Sequence, residues 1–265
     1  IAEPPAEDWD RHIREITEAI ERGEAGKVVA ARRVDVRLSG TLDPRVVLRR
    51  LRARFPNCVR FAFRKGETTF LGATPEHLIS KVGTTLRTEA LAGSAPAGEG
   101  QSLLTSEKDQ HEHRLVVDAI RTALEPHATL EMEAKPSLRE LPNVVHLHTA
   151  IRGTLHDATH VLELVRALHP TPAVGGVPKQ VAADWIATRE RARYGARGWY
   201  AAPFGAFDEH GDGRFLVALR SGLLTGDSAS AWAGCGIVGA SEPEREYEES
   251  ALKFRAFLGA LEPAP

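Results

Sequence analysis

Trp9, Ile13, Ile16 and Ile20 fall at i, i+4, i+7 and i+11, the stripe of an amphipathic helix that closes near Gly23. The run KVVAARRVDVRL (27–38) is β-branched and partly alternating, as a strand is. A proline-started helix is predicted over 44–54, with Val47, Leu48 and Leu51 inward. VRFAF (59–63) and TTFLGA (68–73), separated by RKGE, predict a hairpin. LISKV and TLRTEAL form another strand pair, joined at Gly83. From Glu107 to Leu124 the apolar spacing is helical, with Leu115, Val116, Ala119, Ile120 and Ala123 as the core face.

NVVHLHTAIRG (143–153) reads as a strand and THVLELVRALH (159–169) as a helix that breaks at Pro170. HPTPAVGGVPK (169–179) has three prolines and two glycines, which makes it a shaped loop. A helix over 178–193 precedes strands near 198–207, 214–224 and 230–238. An acidic helix over 242–260 ends the chain, with Ser241 and Glu244 spaced as a capping box. No repeat or low-complexity tract interrupts this order. Strands mixed with returning helices predict one α+β domain over 1–265, built on a large, mostly antiparallel sheet.

Composition narrows the classes. Of 265 residues, 34 are Lys or Arg and 36 are Asp or Glu, a net charge of −2 that argues against a nucleic-acid binder. With 42% hydrophobic residues the chain can bury enough surface to order itself. Its apolar runs fall short of the ~20 residues a membrane helix needs, so no membrane contact is expected. Two isolated cysteines, Cys58 and Cys235, make neither a disulfide framework nor a zinc knuckle, and a cytoplasmic location is expected. The N-terminus has no secretory signal and no initiator Met, Met132 being the only methionine. A processed or truncated chain is therefore expected.

Several residues could carry chemistry. In HEH (111–113) the histidines sit about 200° apart on a helix and cannot share a metal, so the stretch reads as solvated surface. Glu112 is the exception, because it shares a face with Val116 and Ala119, and a core-facing carboxylate needs a partner. EPEREYEES (242–250) has five glutamates, most of which favour the helix N-terminus. Glu246, Glu249 and Lys253 nevertheless form one face. Carboxylates from two helices would suit Mg²⁺ better than zinc. The small-residue clusters ALAGSAPAG (90–98) and WAGCGIVGAS (232–241) read either as tight corners or as close-approach sites for an anion. Lys27 opens an apolar strand, Glu76 follows Pro75, and Arg220 takes an apolar-in position where it would need an anion.

Taken together, KVVAAR (27–32), GATPEHL (72–78), LAGSAPAG (91–98), SEKDQHEHRLV (106–116), HPTPAVGGVPK (169–179), RGWYAAPFGAF (197–207), LVALRSG (216–222) and AGCGIVGASEPEREYEE (233–249) resemble the chorismate-utilising enzymes, in the family's order and over nearly the whole chain. Within that family the chain is most similar to isochorismate synthases. The resemblance implies a fold like that of anthranilate synthase component I, chorismate as substrate, and Mg²⁺. It implies water attack at C2 with loss of the C4 hydroxyl, in menaquinone or siderophore biosynthesis. Lys27 would be the base that activates water and Glu76 the acid that protonates the leaving hydroxyl. Glu112 and Glu249 would be Mg²⁺ ligands. Arg220 would hold the enolpyruvyl carboxylate, and the backbone at Gly93, Gly234 and Gly236 would donate to substrate anions. Tyr200, Lys253 and His146 match positions that line the pocket.

Ammonia-using relatives typically have Gln where this chain has Lys27, and aminodeoxychorismate synthase has a Lys where it has Ala92, so water is the expected nucleophile. Salicylate synthase keeps the lysine but usually differs from PAVGG (172–176), and remains the alternative. Family members normally carry a longer region before the motif at Lys27, so the N-terminal part of the sheet is expected to be missing. A non-catalytic chorismate-binding fragment is the alternative from another class. A monomer is expected.

Overall fold

A computed structural model describes residues 1–262. The Trp and Ile stripe forms α1 (Ala6–Glu21), whose Trp9, Ile13 and Ile16 are buried. It leads into β1 (Lys27–Arg37). Asp43 caps α2 (Pro44–Arg54) by accepting from the Arg45 amide at 2.8 Å, with proline in the first turn. The predicted hairpin is β2 (Val59–Lys65) and β3 (Thr68–Thr74), and the next pair is β4 (His77–Val82) and β5 (Thr85–Pro96). A short α3 (Gly100–Thr105) precedes α4 (Glu107–Leu124), where the Ser106 hydroxyl accepts from the Asp109 amide at 3.2 Å. Such caps are worth about 1 kcal/mol.

Next come β6 (Ala128–Met132), β7 (Ser137–Glu140), β8 (Val144–Leu155), α5 (Val161–Leu168) and β9 (Gly176–Val177). After α6 (Lys179–Trp185) the helix passes through a π-helical stretch over Ile186–Glu190 into α7 (Arg191–Tyr194). The chain closes with β10 (Pro203–Phe207), β11 (Gly213–Val217), β12 (Ser221–Thr225), β13 (Ser228–Ile237) and α8 (Pro243–Leu261).

The strands form two sheets of antiparallel pairs. The first has the order β2-β3-β12-β13-β1-β9, and the second β10-β11-β4-β5-β8-β6, with β7 also on β8. Helices α2 and α8 cover one part of the first sheet, packing Val47, Leu51, Phe254 and Phe257 on Leu71 and Ala231. Trp9, Ile13 and Ile16 of α1 and Trp185 of α6 cover another part, over Val28, Ala30 and Ile237. Val116 and Ile120 of α4 and Leu164 of α5 pack with Ile79, Leu86 and Ile151 of the second sheet. Both sheets are thus sealed by helices on one side, which leaves their other faces to build a site. No helix among the described residues is long and apolar enough to cross a membrane.

The structure corrects four local expectations. The predicted strand 214–224 is two strands in different sheets: β11 pairs β4, whereas β12 lies between β3 and β13. The chain crosses at Arg220, which has φ 51°. Residues 198–202 are a turn held by Tyr200 N→Arg197 O and Ala202 N→Trp199 O, so only 203–207 is strand. The Ser241–Glu244 capping box does not form, because the Ser241 hydroxyl accepts instead from the Val238 amide at 3.1 Å. Finally, α3, β6, β7 and β9 were not anticipated, being too short to show a period.

Candidate active site

Between the sheets lies a narrow, largely enclosed cleft lined by residues of both, among them Val29, Gly234 and Gly236 of the first and Leu91, Gly93 and His146 of the second. Alternation along β1 sends Val28 and Ala30 to the helical side and leaves Val29 lining the cleft, with Lys27 on the same face. Opposite them on β13 sit Gly236, paired with Val29, and Gly234, paired with Ala31. The amides of Val29 and Ala31 point away from β13, to Gly175 O and to the Glu190 carboxylate. By antiparallel alternation the polar groups of Gly234 and Gly236 therefore point away from β1. On that side β12 reaches only as far as Gly222, opposite Ala231, so these groups have no strand partner. Gly234 O is used by the Lys253 ammonium at 2.9 Å.

Three carboxylates arrive from two helices, each with a lysine. Glu112 Oε1 of α4 is 2.9 Å from Lys27 Nζ, both groups being almost wholly buried. Glu246 Oε1 of α8 accepts from Lys108 at 2.6 Å, and Glu249 Oε1, one turn on, from Lys253 at 2.5 Å. Burial opposes charge on Glu249, but Lys253 and Lys108 outweigh it and hold the carboxyl below its usual range. Burial and then the Glu249 charge push Glu246 up. Lys108 pairs with Glu246 and also feels the charges of Glu112 and Glu249.

This donor set fits a hard divalent cation. It supplies carboxylate oxygens, and Glu246 Oε2 is buried with no partner. Cys235 Sγ lies within 4.8 Å of ligand atoms on Glu246 and Glu249. Burial and then Glu249 raise its thiol, which donates to Glu246 O, so it offers no thiolate. The Lys27–Glu112 pair exists because residue 236 is glycine: a Cβ there would lie 2.0 Å from Glu112 Oε1 and 2.6 Å from Lys27 Cε.

Glu76 follows Pro75 in the turn before β4, where its amide donates to the Thr74 hydroxyl at 3.1 Å. Burial and then the Glu89 charge raise its carboxyl to about 8, against the pull of Arg220, Arg139 and Lys27. A carboxylic acid that keeps its proton near neutrality can act as a general acid. Across the cleft, Arg220 Nη2 donates to His146 Nε2 at 3.1 Å. Since Arg can only donate, His146 is the Nδ1–H tautomer, and Nδ1 lies 3.2 Å from Gly93 O and 3.0 Å from Ser94 Oγ. Burial and then Arg220 lower His146 to about 3, so it stays neutral. Gly93, with φ +76°, forms the bulge of β5 opposite β8 that brings its carbonyl to His146. Tyr200 stacks with Trp232 at 6.5 Å and lines the same cleft.

Nine of the eleven residues given a role by the resemblance thus line this cleft, and the other two pair with residues that do, whereas Glu246 pairs with Lys108 beside it. Glu76, Gly93, Glu112, His146, Tyr200, Arg220, Gly234, Gly236 and Lys253 line it. Lys27 and Glu249 join through Glu112 and Lys253. His146 turns both ring nitrogens to protein groups, and so acts as a support for Arg220. The HEH stretch is less solvated than expected, since His113 is buried with Nε2 2.8 Å from Thr149 Oγ1.

Two contributors escaped sequence reasoning. Lys108 sits at i−4 from Glu112, a spacing that could have flagged it. Arg197 binds both oxygens of Glu190, Val174 O and Val29 O, tying the 169–179 loop to β1. No sequence pattern marks that role.

The family model described as chorismate binding enzyme matches residues 1–262. The salicylate biosynthesis isochorismate synthase of Pseudomonas aeruginosa is 46% identical over 96% of this chain and 54% of its own length. Isochorismate synthase MenF of Bacillus subtilis is 38% identical over 96% of this chain and 55% of its own. The chain therefore spans about half the length of these relatives. The solved structure of MenF, the menaquinone-specific isochorismate synthase from Escherichia coli, superposes with a TM-score of 0.88 at 32% identity, covering 99% of this chain and 63% of that one.

Proposed function

The chain belongs to the chorismate binding enzyme family, and from that premise we propose that it is an isochorismate synthase that acts on chorismate with Mg²⁺. The observation that carries the reading is one cleft holding a buried lysine, a protonated carboxylic acid, a cluster of oxygen donors and an arginine. Lys27, which can act as a base only as the neutral amine, takes a proton in that form from the water that attacks C2 of the substrate ring and becomes the ammonium. Glu76 gives its proton to the C4 hydroxyl, which leaves as water, so one C–O bond forms as another breaks and the diene shifts. Arg220, held by His146, forks onto the enolpyruvyl carboxylate, a contact that a lysine cannot reproduce.

Glu112 and Glu249 would hold Mg²⁺, with Glu246 close to Glu249. When bound, the ion supplies a positive counter-charge for the ring carboxylate. Backbone amides of Gly234 and Gly236 face the same anions. The product would enter menaquinone or siderophore biosynthesis.

Incubating the chain with chorismate, with and without Mg²⁺, and identifying products by chromatography and mass tests the proposal. Isochorismate formed only with Mg²⁺, and lost in Lys27→Ala and Glu76→Ala, supports it. Salicylate with pyruvate would assign the alternative branch. No conversion by folded chain would leave a binding protein.

A further inference from the structure

Behind the cleft a second groove contains Glu89 of β5, Arg139 of β7 and His148 of β8, and Pro75 lines both spaces. Arg139 forks onto Glu89, Nη1 to Oε1 at 2.6 Å and Nη2 to Oε2 at 2.7 Å. His148 Nε2 lies 2.8 Å from Arg139 Nη2 and 3.1 Å from Glu89 Oε2. The Glu89 side chain is 11% exposed and that of Arg139 31%. A partly buried ion pair of this kind contributes little net stability over an apolar pair of the same shape. Its placement has another consequence. Glu76 adjoins Pro75, and among the charges that act most on it Glu89 is the one that favours its protonated form.

Three cations act the other way, Arg220, Arg139 and Lys27. Lys27 has its own carboxylate in Glu112, and Arg220 faces the cleft where the substrate carboxylate is to bind. Among the described residues Arg139 has Glu89 as its carboxylate partner. Arg87, Arg152 and Arg214 also line the groove as cations, but the charges that act most on Glu76 come from Glu89, Arg220, Arg139 and Lys27. The remaining titratable groups around this wall are neutral near pH 7 or engaged. Burial lowers His146 and His77 and raises Tyr200 and Cys58, Lys253 is paired with Glu249, and His148 is held in the cluster.

We propose that Glu89 is a positioning residue for the proton on Glu76: its fork onto Arg139 cancels a guanidinium charge that would draw that proton away before it reaches the leaving hydroxyl. The inference rests on the reading of Glu76 as the general acid. It gives the buried pair a task and predicts opposite effects for its two members.

The test follows the Glu76 carboxyl by NMR in protein labelled with ¹³C at glutamate side-chain carboxyls, with the signal assigned by its absence from Glu76→Gln. Glu89→Gln exposes Glu76 to an uncompensated Arg139 and moves its titration down by about one pH unit or more. Arg139→Gln leaves Glu89 alone and moves it up. The double variant returns towards the parent. Shifts of the same sign in both single variants, or none, overturn the proposal, and a Glu89→Gln chain that fails to fold leaves Arg139→Gln to decide its sign. The titration needs no turnover, so an inactive chain would refute the proposed function without touching this result. In an active chain the alkaline limb of the rate profile moves with the NMR titration.

Discussion

Replacing Glu76 by Gln should stabilise the protein, and by an amount that grows with pH. In the folded chain the carboxyl is raised from 4.5 to about 8, chiefly by burial. Below pH 4 both folded and unfolded states carry the proton and the group contributes no pH dependence. Between 4.5 and 8 the unfolded chain has released its proton while the folded chain retains it, so folding binds a proton and stability falls as pH rises. At pH 7 the interval above 4.5 is 2.5 units, which at 1.36 kcal/mol per unit is a cost of about 3 kcal/mol. Above pH 8 the cost levels off at about 5 kcal/mol. Glutamine never ionises and escapes this cost. Urea unfolding of the two proteins at pH 5, 6, 7 and 8 should give a difference that widens in favour of Glu76→Gln. A difference that stays flat across that range refutes the claim that Glu76 is held protonated.

Two further substitutions test the geometry around this acid. Gly236→Ala forces a Cβ against Glu112 Oε1 and Lys27 Cε, so it should cost about 1–3 kcal/mol and weaken Mg²⁺ binding by titration calorimetry; unchanged affinity would show that Glu112 is not part of the cation site. Arg220→Lys keeps a Cβ at φ 51° and leaves the backbone demand unchanged, but loses the donor to His146. It should lower kcat/KM about 10- to 100-fold, mainly through KM, as expected for loss of a charge-assisted fork worth about 1.5–3 kcal/mol; a loss confined to kcat would place Arg220 elsewhere.

The legible parts of the fold were those whose signals are local. Pro44 and the apolar spacing bound α2, and the spacing from Glu107 bounds α4, because such signals act within a few residues; the Asp43 and Ser106 caps are seen only in the structure. The crossing at Arg220 was missed for the opposite reason. FLVALRSGLLT is uniformly strand-like, and only the sheets on either side decide that it must break. Ser241 likewise had the right spacing for a cap, but Val238 competes for its hydroxyl.

The site shows the same division. Spacing placed Glu112 on the core side of α4 and grouped Glu246, Glu249 and Lys253 on one face of α8. It left the opposing lysines, the orphaned oxygen of Glu246 and the Glu89–Arg139 fork out of view, since each joins residues far apart in the chain. What the resemblance added was a role for each residue, and what the structure adds is the electrostatic balance that those roles require.

The central claim is that Lys27 activates a water molecule while Glu76 releases the C4 hydroxyl. Turnover of chorismate in H₂¹⁸O with Mg²⁺, followed by mass analysis of the product, tests it most directly. One ¹⁸O in the C2 hydroxyl of isochorismate, absent from unreacted chorismate, is the predicted result. Unlabelled isochorismate would mean that the hydroxyl migrates within the substrate, and would contradict the assignment of Lys27 and Glu76 as base and acid.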